Sequence, residues 1–420
     1  MKFRQYILIF CLCALCACGG GTNTPTNEKG DKAMHRSTKR GVAFSFTRTD
    51  DAMLLSPAIS WWYNWGPDCT AEGVNNLFAL DSVVFLPMAW NTGFNVERIR
   101  NYVKAHPSCK YILAYNEPNL TDQANMIPQR AAENWPQLKA LATELNLKIV
   151  SPAMNYGTLS GYHDPIKWLD EFFACEGVSL NDVDAIAIHC YMASPSAFKD
   201  YVGRFEKYGK PIWMTEFCAW DPVPGSVETQ LNYMCDVINW MEQTSLVERY
   251  AWFIPRSSGK VDSAPYMQLL THSTPSELTE AGRVFTSLST FDKTVWLDCS
   301  KPLSAINYVG LSHDAIQIRS NTDTDKGLMV KDIREGQWLE YQLFIPEGVT
   351  QIALRYATVL NSTALIFEGT QLIAVAELPK TGSMTDWATA SAPISVKAGK
   401  HTIRFQVGSG AFHLNWIQMQ

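Results

Sequence analysis

Residues 110–118 read KYILAYNEP, and residues 211–217 read PIWMTEF. Each stretch is an apolar run that closes on a glutamate, Glu117 in the first and Glu216 in the second. Nearly continuous apolar runs are typical of parallel strands that are covered on both faces. Each glutamate therefore stands where a buried strand ends and a loop begins, which is the position at which a (β/α)8 barrel carries its chemistry.

Six further apolar runs of this kind occur in the first three quarters of the chain. The eight predicted strands are 41–46, 58–63, 83–88, 110–115, 148–152, 185–190, 211–215 and 249–254. Helix-period sequence follows from the third strand onward, at 96–105, 128–145, 166–174, 198–208, 227–243 and 277–288. The first two intervals lack this period, so their helices are predicted to be short or missing.

Eight such βα units predict an α/β fold, a (β/α)8 TIM barrel, over residues 40–292. A doubly wound open sheet is disfavoured, because no glycine-rich phosphate turn follows the first strand.

Polar and aromatic side chains cluster at the predicted carboxyl ends of the strands. Because these ends share one rim of a barrel, we expect the residues there to meet in one binding site. Besides the two glutamates, they are Trp62, Tyr63, Trp65, Trp90, Asn116, His189, Tyr191, Trp220 and Trp252. For each tryptophan, core packing is the alternative interpretation.

Two carboxyl groups on one rim are the functional groups that glycoside hydrolysis requires. One must protonate the leaving oxygen, and the other acts as a nucleophile at about 5–5.5 Å or as a base for water at about 6.5–9.5 Å. Their environments must differ, since one stays protonated while the other is ionised. Asn116 is placed to bond a sugar hydroxyl, and His189 and Tyr191 to hold Glu216 ionised.

The pattern changes from about residue 296. Short alternating segments at 338–345, 351–359, 364–368, 401–407 and 413–419 replace the helical periods. Turn residues separate them, which predicts an all-β sandwich, jelly-roll-like, over residues 296–420.

The N-terminus has the features of an export signal. A basic start and an apolar stretch lead to LCACG at 15–19, which resembles the bacterial lipoprotein signal. The resemblance implies removal of residues 1–17, lipidation of Cys18, and residence in the bacterial cell envelope at the outer membrane or cell surface. Residues 18–39 then form a flexible tether. An ordinary signal peptide with a stray cysteine is the alternative.

Composition narrows the range of partners. The formal net charge is −6 and no basic cluster occurs, so nucleic acid is not an expected partner. Seven cysteines follow residue 18, and their spacing is not that of metal ligands. We interpret most of them as small buried hydrophobic residues, and one or two disulfide bonds remain an alternative. We expect no metal, no cofactor and a monomer.

Four segments together resemble the catalytic domain of glycoside hydrolase family 128. They are SWWYNW at 60–65, AYNEPN at 114–119, HCY at 189–191 and WMTEF at 213–217. The resemblance implies a retaining endo-β-1,3-glucanase that acts on laminarin-type glucan, with Glu117 as acid/base and Glu216 as nucleophile. It also implies that Trp62, Trp65, Trp220 and Trp252 stack on sugar rings.

The C-terminal segments GQWLEY at 336–341, GKHTI at 399–403 and LNW at 414–416 resemble carbohydrate-binding module family 6. The resemblance implies that Trp387 stacks on a sugar and that Asn415 bonds it. Asp332 stands where that family has an aromatic residue, and Ser304 and Ile306 replace its paired glutamates, which puts the usual calcium site in doubt. A packed companion domain without a ligand is the alternative.

Two other functions remain open at this point. One is the same mechanism on another β-glycan, such as mixed-linkage glucan, xylan or galactan. The other is a non-catalytic glycan-binding surface lipoprotein, against which the retention of both glutamates argues.

Overall fold

The computed structural model describes residues 36–257 and 266–420. The predicted signal peptide, Cys18 and most of the tether lie outside the described residues. Within the described part, no helix is both long enough and apolar enough to cross a membrane.

Eight parallel strands and eight helices alternate along the first domain. The strands are β1 Arg40–Ala43, β2 Trp61–Tyr63, β3 Val84–Phe85, β4 Tyr111–Leu113, β5 Lys148–Val150, β6 Ile186–Met192, β7 Ile212–Asp221 and β8 Val247–Trp252. The helices are α1 Thr49–Leu55, α2 Glu72–Leu80, α3 Val96–Ala105, α4 Pro128–Leu145, α5 Pro165–Phe173, α6 Pro195–Gly203, α7 Val227–Gln243 and α8 Glu280–Ser287.

The strands close into a barrel. Six of them pair in the order β3-β2-β1-β8-β7-β6, and β4 pairs with β5. Parallel bridges between Met88 and Leu113 and between Val150 and Ala185 join the two groups on both sides. The α/β barrel predicted from the sequence is therefore confirmed.

Several helices begin at a side chain that satisfies a free backbone N–H group. Asp164, Ser194 and Ser226 each accept a hydrogen bond from the first turn of the helix that follows. Pro165 and Pro195 occupy the first helical position, where a missing N–H costs nothing. These local signals fix where α5, α6 and α7 start on the rim of the barrel.

The structure adjusts the predicted elements at several points. The first two intervals do contain helices, α1 of 7 residues and α2 of 9 residues, so these helices are short and not missing. The predicted helix at 198–208 is α6 followed by a separate 3-10 turn at Glu206–Tyr208. Strand β7 continues to Asp221, well beyond its predicted end.

A buried ion pair closes the end of the barrel opposite the rim. Arg40 is fully buried on β1 and lies 3.2 Å from Glu242 on α7. The same guanidinium donates to the carbonyl oxygens of Phe285 and Leu288. Strand β1 and the ends of α7 and α8 are therefore held together by one side chain.

The second domain consists of two sheets. Its strands are β9 Leu297–Asp298, β10 Leu303–Ser304, β11 Gly310–Leu311, β12 Gln317–Ser320, β13 Leu328–Arg334, β14 Trp338–Ile345, β15 Gln351–Ala357, β16 Ser362–Glu368, β17 Gln371–Leu378, β18 Ala388–Pro393, β19 Gly399–Ser409 and β20 Ala411–Met419. One sheet has the order β12-β13-β20-β15-β18, and the other β11-β14-β19-β16-β17. Both sheets are antiparallel except for β9, which pairs in parallel with β14. The all-β sandwich is thus confirmed.

The two domains meet through buried polar contacts. Asn239 of α7 is fully buried and donates to the carbonyl oxygens of Asp314, at 2.8 Å, and Ile316, at 3.3 Å. Arg319 of β12 donates to Glu228 at 2.9 Å and to Asn232 at 2.6 Å, both on α7. Helix α7 is therefore covered by the sandwich along most of its length.

The seven cysteines of the described part are all free thiols. Six are buried and Cys175 is half-buried. They pack as small hydrophobic side chains, and none forms a disulfide with another described cysteine.

Candidate active site

A cavity of about 520 Å³ opens at the carboxyl ends of the barrel strands. Both glutamates line it, together with aromatic and amide side chains from the loops after most of the strands. Its lining is Trp65, Trp90, Asn116, Glu117, Leu120, Gln123, Asn155, Tyr156, Tyr191, Glu216, Trp220, Asp221 and Phe253. The rim expected from the strand pattern is thus a single cleft.

Glu216 lies inside β7 and accepts hydrogen bonds on both carboxylate oxygens. The indole N–H of Trp65 donates to Oε1 at 2.7 Å, and the hydroxyl of Tyr63 donates to the same oxygen at 2.9 Å. The hydroxyl of Tyr191 donates to Oε2. Three donors fix the rotamer of Glu216 and stabilise its ionised form.

Glu117 lies just after β4, with a backbone φ of +46° in the left-handed region. Such a conformation is rare for a side chain of this size and is found at functional sites. It is held by the Glu117 N–H, which donates to the carbonyl oxygen of Ala153 at 3.0 Å. The carboxylate Oε1 accepts from Asn155 Nδ2 at 2.8 Å.

His189 connects the two carboxylates from below. Its Nδ1 lies 2.7 Å from Glu117 Oε1 and 3.5 Å from Glu216 Oε2, and the ring is fully buried. One oxygen of Glu117 and one of Glu216 lie within 4.8 Å of each other. Two carboxylates this close favour a nucleophile and an acid acting on one bond over a base acting through water, which needs about 6.5–9.5 Å.

The three groups shift one another's titration. Burial alone would raise the pKa of Glu117, but the charge of His189 and the hydrogen bonds from His189 and Asn155 outweigh it and lower that pKa. Burial raises the pKa of Glu216. The charge of His189 acts to lower that pKa, but the negative charge of Glu117 partly offsets this effect, so the pKa of Glu216 stays raised. Burial lowers the pKa of His189, but the two carboxylates outweigh it and the pKa is raised.

The same three residues are close enough to hold a metal ion, and no other such group occurs in the described ranges. One oxygen of Glu117, both oxygens of Glu216 and His189 Nδ1 are engaged with one another or with neighbouring donors, which is the arrangement of an acid–base site. His189 Nε2 is buried without a partner among the described residues. The donor set of two carboxylates and one imidazole can still accept a divalent cation if one enters the cleft.

Five of the predicted binding residues line the cleft: Trp65, Trp90, Asn116, Tyr191 and Trp220. Asn116 is nearly buried, and its Oδ1 has no hydrogen-bond partner among the described residues. Tyr63 and His189 are fully buried and contact the glutamates from behind the cleft.

Trp62 and Trp252 lie outside the cleft, which corrects the expectation that they stack on sugar rings. Trp62 is buried against Phe78 and Phe85 on the helix-facing side of β2. Trp252 is fully buried and donates to the carbonyl oxygen of Met267 at 2.7 Å. Successive side chains of a strand point to opposite faces, so aromatic character alone did not assign them to the rim.

Sequence reasoning missed six residues that line the cleft: Leu120, Gln123, Asn155, Tyr156, Asp221 and Phe253. Asn155 and Tyr156 follow the fifth strand at a distance of a few residues. The rule applied to the other strands would have found them had the predicted strand been extended by two residues. Phe253 follows Trp252 directly, and no polar signal marked it.

The two residues predicted to bind sugar in the sandwich domain differ in accessibility. Trp387 is half-buried, and its indole N–H donates to Thr322 at 3.0 Å. Asn415 is 1% exposed, and its amide bonds Asn321 at 3.0 Å and Asp323 at 3.0 Å. The amide expected to bond a ligand is therefore already engaged within the protein, whereas Trp387 remains partly open.

Each of the two domains matches the model of a known protein family. The family model described as glycosyl hydrolase catalytic core matches residues 41–285, more than half of the chain. A model described as carbohydrate binding module (family 6) matches residues 305–420. A solved family 128 (subgroup II) enzyme from Pseudomonas viridiflava is 38% identical, with a TM-score of 0.54, over 60% of this chain and 98% of its own.

The chain belongs to glycoside hydrolase family 128. A second family 128 (subgroup II) structure, from Sorangium cellulosum, is 32% identical with a TM-score of 0.53, over 59% of this chain and 98% of its own. Both structures carry the description endo-beta-1,3-glucanase.

A further relative of this family 128 chain is alkali-sensitive linkage protein 1 of Schizosaccharomyces pombe. It is 25% identical over 265 residues, which are 60% of this chain and 45% of that protein. The chain thus spans less than half the length of this curated relative.

Proposed function

We propose that the protein is a retaining endo-β-1,3-glucanase that hydrolyses laminarin-type glucan by double displacement. The observation that carries the proposal is the pair of carboxylates on β7 and after β4, whose nearest oxygens lie within 4.8 Å of each other. The activity described for the solved relatives at 38% and 32% identity supports the substrate class.

In the first step, Glu216 attacks the anomeric carbon while Glu117 gives its proton to the leaving oxygen. Trp65, Tyr63 and Tyr191 hold Glu216 with a lone pair directed into the cleft. The bond between sugar and leaving oxygen breaks as the bond to the Glu216 oxygen forms. In the second step, Glu117 takes a proton from a water molecule whose oxygen bonds the anomeric carbon, and the bond between the sugar and the Glu216 oxygen breaks.

The proton for the first step must reside on Glu117, whereas in the unliganded cleft Glu117 is the more acidic of the two carboxyl groups. His189 Nδ1 contacts both carboxylates, so we infer that it transfers the proton. It gives its proton to Glu117 and takes one from Glu216, which leaves the net charge of the cluster unchanged. A sugar over Glu117 excludes water and favours the neutral acid.

The experiment is product analysis on laminarin, with purified protein lacking residues 1–30. We expect a ladder of short β-1,3-oligosaccharides that disappears with Glu117→Gln and with Glu216→Gln. If oligosaccharides were released only from xylan, galactan or mixed-linkage glucan, the proposed mechanism would stand and the proposed substrate would be wrong. Tight glycan binding without turnover on any of these polymers would leave a binding protein.

We further propose that Cys18 is lipidated and anchors the enzyme to the bacterial cell envelope, at the outer membrane or cell surface. The support is the LCACG sequence at 15–19. Fractionation of cells that express the full chain tests this. We expect the wild type with the membranes and Cys18→Ala with the soluble fraction, and equal membrane association of both would exclude the anchor. We also propose a monomer, which light scattering of the same truncated protein tests.

A further inference from the structure

Asn119 is the last residue of the segment AYNEPN at 114–119 and is completely buried. Its side chain bonds neither glutamate. The amide nitrogen Nδ2 instead donates to the carbonyl oxygen of Asn155 at 2.6 Å and lies 3.5 Å from that of Tyr162. A side chain in the loop after β4 therefore holds the backbone of the loop after β5.

The backbone of Asn119 joins the same two loops. Its carbonyl oxygen accepts from the N–H groups of Thr158, at 3.1 Å, and Leu159, at 2.9 Å. The loops approach most closely at Gly157, where a Cβ atom would lie 2.6 Å from Asn119 Nδ2 and 2.7 Å from the Asn119 carbonyl oxygen. Only glycine fits between them, so the two loops are packed tightly around Asn119.

Asn155, which Asn119 holds by its carbonyl group, is the residue that bonds the acid/base. Its Oδ1 accepts from the N–H of Tyr156 at 2.8 Å, and its Nδ2 donates to Glu117 Oε1 at 2.8 Å. The first bond determines which end of the amide faces Glu117. The contacts thus run in one line from the buried Asn119 through Asn155 to the carboxyl group of Glu117.

Glu117 needs such support more than Glu216 does. Glu216 lies within β7, whereas Glu117 lies after β4 on backbone with a φ of +46°. A residue in this conformation keeps it only when the surrounding structure imposes it. The amide of Asn155 and the imidazole of His189 both bond Oε1 of Glu117, so the direction of its carboxyl group depends on where these two neighbours are held.

We propose that Asn119 is a positioning residue for acid catalysis, which holds Asn155 so that Asn155 keeps the Glu117 carboxyl group directed at the leaving oxygen. The inference rests on the proposed function for the role of Glu117. A misplacement of about 1 Å costs a reaction about 100-fold in rate, so a small shift of Asn155 is enough to matter. The alternative is a buried asparagine that only stabilises the fold.

Two aryl glycosides of β-1,3-linked glucotriose, which differ only in the leaving group, test the proposal. A 2,4-dinitrophenolate leaves without a proton, whereas a 4-methoxyphenolate needs the proton of Glu117. The ratio of the two kcat/KM values therefore reports acid catalysis in the first step. It does not depend on the fraction of the protein that is folded.

We expect Asn119→Ala to lower kcat/KM for the methoxyphenyl glycoside about 10- to 100-fold and for the dinitrophenyl glycoside about twofold or less. Asn155→Ala should change the ratio in the same way. If Asn119 acts through Asn155, the double variant should lose no more than about twofold beyond Asn155→Ala alone. Losses that multiply would show that Asn119 acts by another route and would overturn the inference.

Asn75→Ala is the matched control. Asn75 donates through Nδ2 to the carbonyl oxygen of Cys69 at 2.8 Å, so it also holds a loop, but one that bonds neither glutamate. We expect this variant to leave the ratio unchanged.

An unchanged ratio in Asn119→Ala or in Asn155→Ala would overturn the inference, leave Asn119 with a structural role only, and keep the proposed function. A wild-type protein that cleaves neither glycoside would count against the proposed substrate and the inference together, and the laminarin assay would then decide whether the proposed function itself stands.

Discussion

The two glutamates of the cleft differ in the kind of partner that surrounds them. Glu216 accepts from three neutral donors, whereas Glu117 accepts from one amide and from His189. Neutral donors orient a carboxylate without supplying charge, while a buried imidazolium changes its proton affinity. At the scale of single residues, Glu216 is thus oriented mainly by neutral donors, whereas Glu117 has the imidazole of His189 as a direct partner.

Tyr63 donates a hydrogen bond to Glu216 but lies behind the cleft, where it does not contact the substrate. Its substitution therefore tests the orientation of Glu216 without changing substrate contacts. Tyr63→Phe should lower kcat about 10- to 100-fold, corresponding to the loss of a hydrogen bond to a charged group, with little change in KM. Initial rates on laminarin measure this. Tyr102→Phe, which removes a hydroxyl bonded to Asn75 outside the barrel, serves as the matched control and should leave kcat unchanged.

His189 lowers the pKa of both carboxyl groups. His189→Asn removes that charge, so both pKa values should rise. The two limbs of the kcat/KM profile report the two pKa values of this coupled pair in the free enzyme. We expect both limbs to move to higher pH. A profile that loses height without moving would show that His189 is neutral in the working enzyme.

At the scale of elements, β6 continues past His189 and β7 continues past Glu216. His189 pairs with Glu216 across these two strands, after a register shift at Ile188. A rigid strand positions a side chain more accurately than a loop does. Glu117, in contrast, lies on irregular backbone held by the hydrogen bond to Ala153.

Helix α7 belongs to both domains. Asn239 donates to two carbonyl oxygens of the sandwich and accepts from the hydroxyl of Tyr308 at 3.1 Å. Asn239→Leu leaves these buried groups unsatisfied and should lower the free energy of unfolding by about 2–4 kcal/mol. Urea denaturation measures the loss. The exposed Asn101→Leu on α3 should change it by about 0.5 kcal/mol or less, and an equal effect of both would contradict the interface argument.

For the whole molecule, the buried polar interface predicts that barrel and sandwich unfold together. Removal of residues after Ser289 exposes Asn239 and frees Glu280, which binds Ser320 of the sandwich. We expect one calorimetric transition for the full chain and a melting temperature at least about 5 °C lower for the truncated barrel. Two separate transitions, with the barrel unchanged, would show that the domains are independent.

Much of the fold was predictable because it depends on local patterns. Apolar runs identified all eight barrel strands, and alternation identified the sandwich. Short or irregular elements were not predictable in the same way. The helices α1 and α2 are too short to show a period. Strands β9, β10 and β11 are two residues long, and β12, β13, β17 and β18 lack a regular alternation of large apolar and polar side chains, so all seven were missed.

The sequence by itself determined the fold class, the two domains and the pair of glutamates. Strand ends and motifs could be predicted because each depends on a short, continuous segment of the chain. Only the tertiary structure decided that Trp62 and Trp252 are core residues, that Asn155 joins the site, and that His189 bridges both carboxylates. The physical reason is that closure of a barrel brings together residues about 100 positions apart, while the direction of each side chain depends on strand register, which no single segment encodes.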